Sequence, residues 1–338
     1  MTDSQIEMRN LLTILLFLLG IGYTNAQPLS GYYDVVAGKK GAAVKTALMG
    51  AIDEHTQRTY KDLWTDFRST DCRPDGKVWD MYSNVTNYVF GDDQNTGGGG
   101  REGADYNREH SMPKSWFHDA YPMYTDLFHM YPTDSYINNM RSNYPFGEVG
   151  TVSKQSEGGF SKLGKSAVSG YSGTVFEPAD EYKGDFARTY FYMVTRYEAE
   201  VAGWSSDMLS GNVYPAFTDW ALAVLLKWHR QDPVSEKEID RNNAVYGIQH
   251  NRNPYIDYPV LAEFVWGELV DVAVDVDKLE LYSHEYDATG VEPLQNEMSV
   301  AVGVYDLTGR RVEHAVCGFY IVYYRQPDGS LITRKEKR

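Results

Sequence analysis

Cysteine is scarce in this chain: Cys72 and Cys317 are the only two in 338 residues. Two thiols cannot build a cysteine-based zinc site, and their spacing demands no disulfide framework. Positive charge is also short, with 32 Lys and Arg against 47 Asp and Glu and a net charge of −15. A chain this acidic does not coat nucleic acid, although net charge governs diffuse attraction rather than any one site. An apolar run long enough to span a bilayer is missing too. The nearest approach, residues 11–21, is broken by Thr13 and Gly20, preceded by Arg9 and followed by Thr24-Asn25-Ala26. A basic start, a short apolar stretch and a small final residue define a secretory signal peptide, with cleavage expected after Ala26. A buried N-terminal helix is the alternative for the same run. After cleavage the mature protein has no stable membrane span.

What the chain has is ordinary in bulk: 42% apolar and 23% charged residues, the balance of a soluble globular protein. The exception is 27 Tyr, an amphipathic residue suited to partly wet surfaces and strands. Residues 101–165 carry seven Lys or Arg and eight Asp or Glu, so this stretch is near neutral. Any grip on phosphate there has to come from a few placed cations and a metal.

Residues 42–53 have helical spacing through Val44, Leu48 and Ile52, and Leu63 and Phe67 follow a polar stretch. Residues 78–90 alternate like a strand, and Gly97-Gly98-Gly99-Gly100 is expected to be a plain linker. No Lys-Ser/Thr follows it, as a phosphate-cradling loop requires. Residues 106–112 and 125–131 are strand candidates, and Asp134 is placed to cap a helix running to about Arg141. Residues 182–197 and 219–230 are helical, Ser235-Glu236-Lys237-Glu238 fits a capping box, and 259–266 is a short last helix. After about Asp271 the texture changes. Residues 272–282 alternate, and 300–305 and 319–324 are strand-like around a turn at Asp306-Leu307-Thr308-Gly309. The expected fold class is α+β, a mainly helical domain with a small C-terminal all-β segment. The expected division is 1–26 as signal peptide, 27–270 as main domain and 271–338 as the β-rich segment.

The segment Asn107-Arg108-Glu109-His110-Ser111-Met112-Pro113-Lys114-Ser115 concentrates a base, a carboxylate and two cations. Histidine can take a proton from water near neutral pH, and Glu109 offers a hard oxygen suited to Mg²⁺ or Ca²⁺. Neighbours on a strand face opposite ways, so the pair would flank a strand end or a bulge. Alone, such a pair is more often a surface salt-bridge partner. Downstream, Asn138 on a short helix places an amide oxygen where a second ligand could come from, with water completing an octahedral shell. Glu109-His110 is not a His-Glu-x-x-His helix, so a zincin is excluded. His55, His118, His229, His250, His284 and His314 have no metal-like spacing.

These lines together resemble the bacterial endonuclease I family, one of the ββα-metal (His-Me finger) nucleases. The matching phrases are Asn107-Arg108-Glu109-His110, Pro113-Lys114-Ser115, and Tyr131-Pro132-Thr133-Asp134 followed by Asn138 and Arg141-Ser142-Asn143-Tyr144-Pro145-Phe146-Gly147. Further on come Phe176-Glu177-Pro178-Ala179-Asp180 through Arg188, then Trp228-His229-Arg230-Gln231-Asp232-Pro233, then Asn251-Arg252-Asn253-Pro254-Tyr255. The resemblance covers residues 32–267. It implies a helical nuclease domain around a ββα-metal motif, with His110 as general base and Glu109 and Asn138 as ligands of one Mg²⁺, or of Ca²⁺ or Mn²⁺. Arg108, Arg141 and Arg188 become candidate phosphate contacts; for Arg141 and Arg188, structural ion pairs are the equal alternative. DNA is the implied substrate, with RNA beside it, cut without strong sequence preference to leave 5′-phosphate and 3′-hydroxyl ends. The family usually has Asp-Leu-His or Asp-Met-His where this chain has Asp126-Leu127-Phe128, so one imidazole is missing next to His129.

At the other end, Val304-Tyr305-Asp306-Leu307-Thr308-Gly309-Arg310-Arg311-Val312 and Gly318-Phe319-Tyr320-Ile321-Val322 resemble a type IX secretion sorting domain. That implies an export-machinery partner and a secreted or cell-surface protein of a Gram-negative bacterium; an ordinary β-accessory unit is the alternative. The rival to a secreted endonuclease is a non-catalytic surface protein, a degenerate nuclease fold that binds nucleic acid or glycan.

Overall fold

The computed structural model describes residues 30–281 and 283, and then 300–306, 310–312, 319–325 and 331–337. The expected signal peptide lies outside these residues, as does most of the turn expected at 306–309. The chain divides into two compact units, Met1–Leu279 and Glu280–Arg338. No helix among the described residues is long and apolar enough to cross a membrane.

The first unit opens with helices α1 (Ala42–Ile52) and α2 (Leu63–Thr70) and a long irregular stretch. Strand β1 (Tyr106–His110), strand β2 (Met130–Asp134) and helix α3 (Ser135–Arg141) come next. A three-stranded antiparallel sheet is built from β3 (Val149–Gln155), β4 (Lys162–Ser166) and β5 (Thr174–Glu177). Five helices complete the unit: α4 (Lys183–Arg196), α5 (Asp219–Gln231), α6 (Glu236–Gln249), α7 (Pro254–Asp257) and α8 (Leu261–Trp266). Helix and small sheets together make this an α+β unit.

Helix α4 is its axis, since all 14 of its residues are buried. A helix with no wet face needs neighbours all round, and α1 and α5 both pack on it. Helix α1 contributes Val44, Leu48 and Ile52, spaced four apart on one stripe. Helix α5 contributes Trp220, Ala221, Val224, Leu225 and Trp228. Buried carboxylates organise the interior as well. Asp126 accepts from Tyr192 Oη (2.9 Å), Tyr197 Oη (2.8 Å), Gln249 Nε2 (3.1 Å) and Phe128 N (2.9 Å).

Several local expectations need correction. Residues 78–90 form no strand beyond one bridge between Cys72 and Val78. Their alternation instead buries Val78, Tyr82 and Tyr88 in a loop whose amides turn to side chains, as Tyr82 N does to Asp80 Oδ1 (2.8 Å). The second strand begins at Met130, not near 125, because Leu127 N goes to Gln249 Oε1 (2.6 Å) and Phe128 N to Asp126. With those amides taken by side chains, no ladder can start earlier. The glycine run is no free linker: Gly99 is buried, and a Cβ there would lie 2.9 Å from Tyr136 N and 3.1 Å from Ser135 Cβ. Only glycine lets this loop press against the start of α3. The three-stranded sheet was not foreseen, since β3 is almost wholly exposed and shows no alternation of burial. Residues 272–281 hold a 3-10 turn, Val276–Lys278, that runs into helical residues 279–281, in place of a strand. Val274 lies within the first unit, its O accepting from Gly38 N (2.8 Å) and its N donating to Lys39 O (2.9 Å).

The second unit shows a three-stranded antiparallel sheet in the order β6-β7-β8, from Val300–Asp306, Phe319–Arg325 and Leu331–Lys337.

The capping box at Ser235 is present in full, with Ser235 Oγ accepting from Glu238 N and Glu238 accepting from Ser235 N. Ser235→Ala should therefore cost about 1 kcal/mol, measured as a lower urea midpoint at unchanged slope. A midpoint equal to wild type would show that the cap contributes nothing.

Candidate active site

Strands β1 and β2 pair antiparallel, with Glu109 opposite Tyr131 and His110 opposite Met130, and the chain enters α3 directly from β2. Asp134 makes that entry rigid. Its Oδ1 accepts from Ile137 N (2.8 Å) as an N-cap, and its Oδ2 accepts from Gly103 N (2.7 Å) and Tyr88 Oη (2.5 Å).

At the far end of α3, Arg141 closes the arrangement. Its guanidinium is fully buried and donates to Glu109 Oε1 (2.8 Å), His110 O (3.0 Å), Ser111 O (2.5 Å) and Tyr190 Oη (3.2 Å). Asn138 sits three residues earlier and so on the same side of the helix. It is half-buried, and its side chain has no hydrogen-bond partner among the described residues.

Glu109 is buried, and burial pushes its carboxyl up to about 6 against the opposing pull of Arg141 and Tyr82. Tyr82 Oη (2.8 Å) and Arg141 Nη1 (2.8 Å) both donate to Oε1. Oε2 accepts from no side chain among the described residues, and the backbone N–H of His110 also steadies the carboxylate.

His110 Nε2 lies 3.0 Å from Tyr124 O. A carbonyl only accepts, so Nε2 carries the proton and Nδ1 keeps the lone pair. Burial, then the nearby His129, holds His110 well below the ordinary histidine range. The ring is therefore neutral near neutral pH, with its lone pair on Nδ1. His129 is its neighbour at 5.6 Å between ring centroids, tied by its own Nε2–H to Met123 O (2.7 Å) and pushed down to about 4 by burial. Phe128, the departure noted above, is buried against the Tyr192 ring at 4.5 Å. The imidazole beside His110 is the one this chain retains.

The three candidate arginines separate. Arg141 and Arg188 carry two readings, phosphate contact or structural ion pair, and here both are fully buried and paired with carboxylates. Arg188 makes a bidentate pair with Glu238 (2.6 and 2.7 Å) and also donates to Asp232 O (2.8 Å). Both are the structural ion pairs of the alternative reading. Arg108 is buried too but differs in its partners: it donates to Tyr60 O (2.7 Å) and lies over the Tyr60 and Trp64 rings at 3.6 and 4.3 Å, with no carboxylate partner among the described residues.

Sequence reasoning missed Tyr82, Tyr124 and Tyr190, whose hydroxyls or carbonyl orient the site. The surplus of tyrosine was the one available signal, and it marks no position.

Among the described residues no group of three or more His, Cys, Asp or Glu gathers around a common point. The candidate donors are Glu109 Oε2 at the end of β1 and the Asn138 amide on α3, both hard oxygens that no described side chain engages. That set fits a hard divalent cation keeping most of its water, and not a thiolate- or imidazole-seeking metal.

An α+β unit that delivers a neutral histidine and a half-free carboxylate from a strand pair leading straight into a helix has the layout of a hydrolytic centre. Residues 40–260 match the Endonuclease I family. The chain is 35% identical over 243 residues to the "Extracellular ribonuclease" of Bacillus amyloliquefaciens, covering 70% of this chain and 78% of that one. It is 34% identical over 242 residues to the protein of the same name from Bacillus subtilis (strain 168), with the same shares covered. The "Endonuclease-1" of Buchnera aphidicola subsp. Acyrthosiphon pisum (strain APS) is 27% identical over 133 residues, 39% of this chain and 44% of that protein. This chain belongs to the endonuclease I family.

Removing one partner of a buried ion pair leaves the other charge uncompensated, at a cost of about 3–5 kcal/mol. Arg188→Ala should lose stability on that scale in denaturant unfolding. A variant of wild-type stability that binds nucleic acid more weakly would return Arg188 to the phosphate.

Proposed function

We propose that this protein is a secreted, metal-dependent endonuclease that hydrolyses phosphodiester bonds with little sequence preference. The observation that carries the proposal is the pairing of a neutral His110, fixed through Nε2–H on Tyr124 O, with a Glu109 carboxylate that keeps one oxygen unspent. In the ββα-metal reading, β1, β2 and α3 form the motif, and Glu109 and Asn138 would hold Mg²⁺ or a similar cation. Bound there, the cation would offset charge on the pentacovalent phosphorus and on the leaving 3′ oxygen.

His110 Nδ1 takes a proton from water as its oxygen bonds to phosphorus. The P–O3′ bond breaks, leaving a 5′-phosphate and a 3′-oxygen that is protonated from solvent. The imidazolium then returns its proton to water. Tyr124 O keeps the ring oriented throughout, and Arg141 keeps the backbone of His110 in place. Arg108, unpaired by any described carboxylate, faces a substrate phosphate in this scheme. His129 flanking His110, with Phe128 absorbed in the core, favours an active site over a degenerate binding module.

The Bacillus relatives are named ribonucleases and the Buchnera ones Endonuclease-1. We accordingly assign both RNA and DNA as substrates, since a backbone-directed site reads phosphate and not base edges. The Bacillus names also say extracellular. That supports secretion, and the reading of residues 1–26 as a signal peptide and 271–338 as a sorting segment adds export by a Gram-negative cell through a type IX pathway as our proposal.

Plasmid nicking and cleavage of a labelled RNA should occur with Mg²⁺ and stop on addition of EDTA. Cleavage that persists in EDTA sinks the metal, and no cleavage with any of Mg²⁺, Ca²⁺ or Mn²⁺ sinks the enzyme. His110→Ala should lower kcat by about 10²–10⁴-fold while circular dichroism and nucleic-acid affinity stay near wild type. Near wild-type turnover would show that another group is the base.

A further inference from the structure

Three tyrosines step outward from the His110 ring. Tyr60 lies nearly parallel to His110, at 5.8 Å between centroids and 18° between planes. Tyr124 lies closer still, at 4.7 Å from His110 and 5.0 Å from Tyr60, and Tyr121 stands beyond it at 5.2 Å from Tyr124. Burial falls along the series: Tyr60 and Tyr124 are half-buried and Tyr121 is 52% exposed. His118 and Asp119, both left-handed at φ 60° and 54°, turn the chain back just before Tyr121. The outermost ring thus stands at the surface, where it adds little to the core.

Cations accompany the rings. Lys114 Nζ lies 5.4 Å from the centre of the Tyr124 ring, and the Arg108 guanidinium lies on Tyr60. Lys114 is 48% exposed and its ion-pair partner Asp119 is 50% exposed. A pair that open is weak and yields readily to a phosphate.

We propose that Tyr121 and Tyr124 form a base-stacking subsite for an unpaired nucleobase beside the scissile phosphate, with Lys114 on that nucleotide's phosphate, so that the enzyme prefers single-stranded nucleic acid. The inference rests on His110 being the reactive centre. In a duplex each base face is covered by its neighbours, whereas a single strand can splay a base onto an aromatic side chain. Stacking of this kind is sequence-tolerant because every base has a π face, in keeping with a backbone-directed site. The grading of burial matters here. The inner rings are held by the protein, and the outer one is left for the ligand.

The test uses the full chain, a single-stranded oligonucleotide carrying 2-aminopurine and the matching duplex. Binding is measured on the His110→Ala chain by 2-aminopurine quenching, and cleavage on the otherwise wild-type chain. The single strand should be cut with the higher kcat/KM, and its bound 2-aminopurine should be quenched. Tyr121→Ala should raise Kd and KM for the single strand about tenfold, leaving kcat and the duplex values within about twofold. Tyr121→Trp should restore the lost affinity. Unchanged single-strand affinity in Tyr121→Ala, or an equal loss on strand and duplex, overturns the subsite while leaving the nuclease intact. If the wild-type chain cleaves nothing, the nuclease proposal falls, and the quenching and affinity values still decide whether bases stack on Tyr121.

Discussion

The Arg141 guanidinium is the tie on which the site depends. From the last turn of α3 it reaches the Glu109 carboxylate, the carbonyls of His110 and Ser111, and the hydroxyl of Tyr190 on the central helix. Helix, strand end and core are thereby fixed to one planar group whose directions are set by its own bonding. A lysine could neutralise Glu109 but could not span these acceptors in one plane. Its partner Tyr82 completes the hold on Oε1. The remaining oxygen is aimed because its twin is pinned.

Much of this was legible in the sequence, for identifiable reasons. Helices α1, α4, α5 and α6 carry 3.6-residue periodicity or a Ser-x-x-Glu cap, and local signals of that kind survive into the fold. Asp134 as a cap and residues 106–110 as a strand were visible in the same way. Residues 78–90 misled because alternation served a loop wrapped on the core. Residues 125–131 misled because Asp126 and Gln249, 123 positions apart, take the amides a strand would have used. Contacts at that separation leave no local trace. At the site, Glu109, His110 and Asn138 stood out through their phrases, yet the commitment of Arg188 to Glu238 could not be seen. An arginine has the same letter whether it meets a phosphate or a buried carboxylate.

The arrangement also answers how an acidic chain can face a polyanion. With a net charge of −15 the protein gains no help from long-range attraction. Most of the arginines near the core are bound to carboxylates: Arg188 to Glu238, Arg241 to Asp71, Arg252 to Asp257. Arg108 escapes this because aromatic rings, not acids, enclose it. Local charge around the candidate site is then decided by what surrounds each cation and not by the total.

The tyrosines have a further consequence. Several buried carboxylates are met by phenols: Glu109 by Tyr82, Asp134 by Tyr88, Asp126 by Tyr192 and Tyr197, Asp257 by Tyr33. A phenol offers a short-range directional bond with no net charge, so counterions have little to screen. A fold held this way keeps its interior polar bonds across a wide range of ionic strength.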